Sequence, residues 1–197
     1  MTQHEKKPGR LFVISAPSGG GKTSLTNCVI EKLSSSISLE KVATYTSRLP
    51  RFNEKNGKDY YFVSRTDFMK KREDGFFLET TEYNGEFYGS PASIITDLKK
   101  GKSLILVADW DGAKKILSLI ENPVLIWIVP PSLDALKKRI EARGTEKAEQ
   151  IEARIKLAKV ELMHERISKI FNYWVFNDNF ERATQEIISI IQKELVQ

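Results

Sequence analysis

The sequence predicts an α/β fold: a parallel sheet flanked by helices, with a mixed β lobe inserted after the first helix and a helical lid before the last strand. Three observations predict it. The apolar run Leu11-Phe12-Val13-Ile14 passes through a glycine-rich turn into a helical pattern on Leu25, Val29, Ile30 and Leu33, a strand–turn–helix order that suits a βα unit. Val124-Leu125-Ile126-Trp127-Ile128-Val129 is apolar throughout, as a strand covered on both faces must be. Residues 38–90 read as mostly β with short helices, and a βα alternation resumes after them.

Each element carries its own signals. The turn is Ala16-Pro17-Ser18-Gly19-Gly20-Gly21-Lys22-Thr23, and the helix it opens breaks at Ser34-Ser35-Ser36. Val42 to Thr46 is a β-type run, followed by a polar loop from Phe52 to Lys58 with Asn56-Gly57. Asp59 to Val63 reads as a strand, and Ser64 is placed to cap a short helix over Arg65 to Glu73 that Asp74-Gly75 stops. Phe76 to Tyr83, then Asn84-Gly85, then Glu86 to Tyr88 is a hairpin signal. Ser93 to Lys100 is helical and closed by Gly101; Leu104 to Ala108 is a strand and Gly112 to Leu119 a helix. Ser132 caps a helix running through Ile140. A break near Arg143-Gly144-Thr145 precedes a long helical stretch to about Ile170. Tyr173 to Phe176 is the last strand, and Asn177-Asp178-Asn179 caps a final helix with Ala183, Ile187, Ile190 and Ile191 inward. The expected organisation is a single domain with its core at 10–37, 91–140 and 158–197, the lobe at 38–90 and the lid at 141–157.

The 197 residues suffice for one good core, and 41% hydrophobic with 29% charged residues is ordinary for a soluble globular protein. No stretch approaches the 18 apolar residues of a membrane span. Met1 to Arg10 is polar and lacks an apolar core, so a short tail is expected rather than a signal peptide. The single Cys28 excludes an internal disulfide, and His4 and His164 lie too far apart in sequence to suggest a zinc site. The cytoplasm is the expected location. The net charge of +5 is local: Lys137 to Lys159 holds eight Lys and Arg against four Glu. A local cluster suits a small anionic ligand at least as well as a nucleic-acid backbone.

The turn after the first strand has the make-up of a P-loop. Its glycines let successive backbone N–H groups face a polyphosphate, and the helix N-terminus adds partial positive charge. Ala16 through Ser24 would then hold ATP, with Lys22 reaching the β and γ phosphates and the Thr23 hydroxyl ligating Mg²⁺. Ala16 stands where the first glycine of such turns usually sits; it fits only if that position does not need a positive φ.

Further motifs follow in order: Thr46-Ser47-Arg48-Leu49-Pro50-Arg51, Gly57-Lys58-Asp59-Tyr60, Glu79, Tyr88-Gly89-Ser90, Arg143-Gly144-Thr145 and Asn177-Asp178. With the P-loop they resemble the guanylate kinase family over nearly the whole chain, from about Leu11 to the C-terminal helix. The resemblance implies an enzyme that moves the γ-phosphoryl group of ATP to GMP with Mg²⁺ as cofactor. It places the GMP phosphate on Arg48, Arg51, Tyr60 and Tyr88, groups whose guanidinium forks and hydroxyls suit phosphate oxygens. It maps guanine recognition to Glu79, Ser90 and Thr44: an ionised carboxylate accepts both N1–H and the exocyclic amine of guanine, whereas adenine offers neither. Asp109 is a further candidate contact. Transferred charge falls to Lys22, Arg48 and the lid arginines Arg139, Arg143 and Arg154, of which Arg139 and Arg143 are spaced to share a helix face. Asn177 matches a position near the adenine. Read without the resemblance, Arg48 and Arg51 also suit a solvated loop, and Glu79 an exposed edge charge.

One stretch departs. Where the family reads D-x-D-x-Q-G, this chain has Val107-Ala108-Asp109-Trp110-Asp111-Gly112, so the acid expected near the Mg²⁺ waters is a valine. Two other readings remain: a catalytically inactive guanylate-kinase-like module that binds proteins, and a related P-loop kinase with a different acceptor. An intact Gly21-Lys22-Thr23 argues against the first, and the Thr44, Glu79 and Ser90 set against the second. The expected partners are ATP and GMP, with neither nucleic acid nor membrane, on a monomer or weak homo-oligomer.

Overall fold

The computed structural model describes residues 7–51, 54–83, 85–142, 144 and 148–196. Arg143, the Asn84 of the expected hairpin turn, Phe52 and Asn53 of the polar loop, and Met1 to Lys6 of the tail lie outside the described residues.

Two sheets divide the work. The first is entirely parallel, in the order β2 (Leu39–Lys41), β7 (Ser103–Val107), β1 (Leu11–Ser15), β8 (Val124–Val129), β9 (Tyr173–Phe176). Val13 in the central strand pairs with Leu106 on one side and Leu125 on the other. Alternation along β1 decides which face each residue serves. Phe12 and Ile14 enter a core made with Leu25 and Val29 of α1 (Lys22–Leu33) and Ile187 and Ile191 of α7 (Phe180–Val196). Leu11 and Val13 face the opposite core, with Ile94 of α3 (Ser93–Lys99), Trp110 and Ile116 of α4 (Trp110–Leu119), and Phe171. Full burial of each such side chain stabilises the fold by about 1.5–3 kcal/mol.

The second sheet runs β4 (Tyr60–Phe62), β3 (Thr44–Thr46), β6 (Glu86–Pro91), β5 (Phe77–Tyr83), with β3 parallel to β4 and antiparallel to β6. Gly85, at a φ of +75°, makes the β5–β6 turn that a side chain would strain. Phe68 of α2 (Arg65–Glu73) stacks on Phe77 at 4.6 Å and on Phe87 at 5.5 Å, closing the lobe's small core.

The run expected as one strand, Val42 to Thr46, is a strand only from Thr44, and a strand that was not expected precedes it. Leu39–Lys41 joins the edge of the parallel sheet, the chain crosses at Val42–Ala43, and Thr44–Thr46 begins the second sheet. Three-residue strands carry too little periodicity to reveal their partners. The helix expected from Gly112 starts two residues earlier because Asp109 caps it, its Oδ1 accepting from Gly112 N–H at 2.6 Å. Ser64, Ser132 and Asn179 cap α2, α5 (Leu133–Glu141) and α7 through their side-chain oxygens.

From Ala148 onward the expected lid and the helix after it are one continuous helix. α6 (Ala148–Ser168) buries Arg154, Ala158, Glu161 and Glu165 along one face. Glu165 accepts from the indole N–H groups of Trp110 at 3.4 Å and Trp174 at 3.0 Å, which ties the C-terminal half of this helix to the core. None of the described helices is long and apolar enough to cross a membrane.

Candidate active site

The crevice opens at the carboxyl ends of β1 and β7, where an open parallel sheet receives ligands at the point its strand order reverses. It encloses about 850 Å³, open mouth included, between the P-loop, the second sheet and α6. The P-loop forms its floor from Ser18 to Ser24. Gly21 sits at the N-cap of α1 with φ +99°, and no side chain caps this helix end. Its backbone donors are therefore left for an anion. Ala16 is fully buried and does not adopt a positive φ, so the missing glycine costs nothing. Lys22 Nζ donates to the Ala16 carbonyl at 2.6 Å.

Opposite the P-loop, Thr44, Arg48, Arg51, Tyr60, Glu79, Tyr88, Ser90 and Asp109 all line the crevice. Glu79 is not an exposed edge charge: only 8% of it is accessible. Ser90 Oγ donates to its Oε1 at 2.6 Å, while its Oε2 is buried with no hydrogen-bond partner among the described residues. Burial pushes its titration up to about 7, opposed by the Ser90 hydrogen bond. Nor is Arg48 a solvated loop residue. Its Nη1 and Nη2 donate to both carboxylate oxygens of Glu54 at 2.6 and 2.7 Å, and its guanidinium lies 5.0 Å from the Tyr60 ring centroid. Glu54 also accepts the Arg51 backbone N–H at 2.8 Å, so one acid orients both arginine positions.

A match to the guanylate kinase family model spans residues 8–194. The guanylate kinase of Hahella chejuensis is 40% identical over 188 residues, covering 94% of this chain and 87% of that protein. That of Anaplasma phagocytophilum is 38% identical, covering 96% and 89%. A crystal structure of the Anaplasma phagocytophilum guanylate kinase superposes with a TM-score of 0.79 at 32% identity, over 98% of this chain and 89% of that one. The chain belongs to the guanylate kinase family.

Not every residue assigned by the family resemblance lies in the crevice. Asn177 is buried behind the P-loop, its Nδ2 donating to the Gly20 carbonyl at 2.9 Å. Arg139 donates to the Asn177 carbonyl at 2.9 Å, so both brace the loop from outside rather than line the cavity. Arg154 does line it and is 6% exposed, its Nε donating to Ser18 Oγ at 2.7 Å. Asp109 lines it with its carboxylate engaged: Oδ1 holds Gly112 N–H and Oδ2 accepts from Thr81 Oγ1 at 2.9 Å. Val107 puts an apolar side chain beside it, and Asp111 is exposed in the first turn of α4, where the helix dipole favours an acid.

Sequence reasoning missed Glu54, Tyr83 and Glu161. Glu161 is buried on α6, with Oε2 accepting from Ser18 N–H at 3.1 Å and from the Tyr83 hydroxyl at 3.3 Å. Burial pushes it up to about 7, against the pull of the nearby Lys22 ammonium. A signal was available. Arg154, Ala158, Glu161 and Glu165 recur at helical spacing, a stripe that must face inward if the flanking residues face water.

Proposed function

We propose that this crevice is where the enzyme performs its family's reaction, transfer of the γ-phosphoryl group of ATP to GMP. The P-loop N–H groups and Lys22 would hold the β and γ phosphates of ATP. Arg48, Arg51, Tyr60 and Tyr88 would take the phosphate of GMP, with Glu79, Ser90 and Thr44 at its base. An oxygen of that phosphate attacks the γ phosphorus, the bond to the β-bridging oxygen breaks, and GDP and ADP result. The attacking oxygen is already ionised, so the site needs positive charge and in-line placement more than a base. Arg154 stands over Ser18, close enough to the loop to supply part of that charge.

The donor set fits a Mg²⁺ that arrives with the triphosphate. Thr23 lines the crevice, no cluster of three acids, histidines or cysteines exists among the described residues, and the Asp109 carboxylate is already engaged. Such an ion is commonly held by one or two protein groups plus phosphates. When bound it would neutralise charge on the β and γ oxygens, with the Thr23 hydroxyl as its protein ligand.

The observation that carries the choice of acceptor is the vacant Oε2 of Glu79. A buried acceptor without a donor is unfavourable, and guanine supplies N–H donors of the right kind whereas adenine does not. An ADP-release assay with GMP, dGMP, AMP and UMP tests this, with Lys22→Met as control. Turnover on GMP far above AMP is expected, with Lys22→Met nearly inactive. Equal rates on GMP and AMP would overturn the base assignment, and no ADP release with any acceptor would overturn the kinase reading.

A further inference from the structure

Side chains two apart on a strand share a face, and one face of β5 carries one carboxylate and meets two others in turn. Ser90 is the partner of Glu79 itself; Thr81 donates to Asp109; Tyr83 donates to Glu161. The last contact differs from the others in what lies beyond it. Glu161 reaches Ser18 N–H from α6, and Arg154, two turns earlier on the same helix, holds Ser18 Oγ. The N–H and the hydroxyl of this P-loop residue are thus both held by one helix. That helix in turn receives a hydroxyl from the strand that carries the guanine-facing acid.

Glu161 is 4% exposed, and its Oε1 is buried without a hydrogen-bond partner among the described residues. The Tyr83 hydroxyl and the Ser18 N–H therefore converge on a single oxygen. Loss of either leaves that buried oxygen with one donor fewer, so the two contacts support one another. β5 is paired with β6 from Phe77 to Tyr83, with one irregularity at its start, so from Glu79 onward it transmits displacement as a unit.

We propose that the Tyr83–Glu161–Ser18 contact couples the two nucleotide sites, with Glu161 as a positioning residue that keeps the P-loop in register with the guanine-reading strand. Each nucleotide then binds more tightly when the other is present, by an equal factor in both directions. The proposal rests on the site assignment given under Proposed function.

Isothermal titration tests it on the full chain. GMP is titrated into the enzyme alone and into enzyme saturated with a non-hydrolysable ATP analogue and Mg²⁺, for wild type, Tyr83→Phe, Glu161→Gln and the double variant, with melting temperatures recorded for each. Wild type is expected to bind GMP about tenfold tighter in the presence of the analogue. Tyr83→Phe removes one oxygen and is expected to leave each nucleotide's separate affinity within about twofold while the ratio falls below about threefold. Glu161→Gln keeps one oxygen able to accept from both donors, so its ratio should stay within about twofold of wild type, and the double variant should match Tyr83→Phe alone. A wild-type ratio of one, or an unchanged ratio in Tyr83→Phe, overturns the coupling while leaving the site assignment intact. If Glu161→Gln does not fold, Tyr83→Phe alone decides. Unchanged GMP affinity in Glu79→Ala overturns the site assignment and the coupling with it.

Discussion

Ser90 donates to one oxygen of Glu79 and leaves the other buried and unengaged among the described residues. The serine fixes the carboxylate's plane; the vacant oxygen defines what a ligand must bring. Burial, reinforced by the nearby Asp109 carboxylate, pushes the acid up to about 7 against the pull of the Ser90 hydrogen bonds and the Lys115 ammonium.

That position gives GMP binding a pH dependence of definite sign. Only the ionised carboxylate accepts from both guanine donors, so affinity should rise as pH increases through about 7. Bound guanine favours the charged form, which lowers the titration point and releases protons on binding. Calorimetry at pH 7 in two buffers of different ionisation enthalpy measures that release directly. In Glu79→Gln the additional release should vanish and affinity should lose this component between pH 6 and pH 8, leaving only the titration of the GMP phosphate itself. Equal proton release in the two proteins would show that Glu79 does not titrate with the ligand.

Glu54 orients the cations proposed to take the phosphate of GMP. It holds both terminal nitrogens of Arg48 and the backbone of Arg51. Glu54→Gln keeps the shape but can oppose only one donor pair, so Arg48 should lose its fixed orientation. We expect KM for GMP to rise about tenfold with kcat changed by less than about threefold, since a charge-assisted pair contributes roughly 1.5–3 kcal/mol. Steady-state kinetics with GMP varied at saturating ATP makes the comparison.

The P-loop should be intolerant at Gly21. Its φ of +99° strains any L side chain, and an added Cβ would lie 2.7 Å from Asn177 Nδ2, the atom that braces the Gly20 carbonyl. Gly21→Ala should therefore lower stability by about 1–2 kcal/mol, a fall in Tm of roughly 3–6 °C for a chain of this size. ATP affinity should fall further than GMP affinity, because the brace being pushed belongs to the donor side. Thermal melts and separate titrations of the two nucleotides check both parts.

Much of this architecture is legible in the chain because its strongest signals are local. The runs at β1 and β8 need no partner to declare themselves, and Ser64, Ser132 and Asn179 cap helices through bonds to residues three positions away. What escaped was decided at long range. Leu39–Lys41 belongs to the parallel sheet only because β7 offers an open edge. Glu161 becomes a buried partner of Ser18, 143 positions away, and in sequence it is one acid in a charged helix. Asn177 is placed behind the P-loop, and no local pattern shows that its amide faces Gly20.

The lobe joins the rest of the fold through two peptide crossings, at Val42–Ala43 and at Pro91–Ala92. Arg48, Tyr60, Glu79, Tyr88 and Ser90 all stand on the stretch between those two crossings, so their mutual spacing is set within it. On the proposed assignment, the groups that would read the base and those that would take its phosphate are therefore built as one piece, and the acceptor's two ends would be measured against each other independently of the donor.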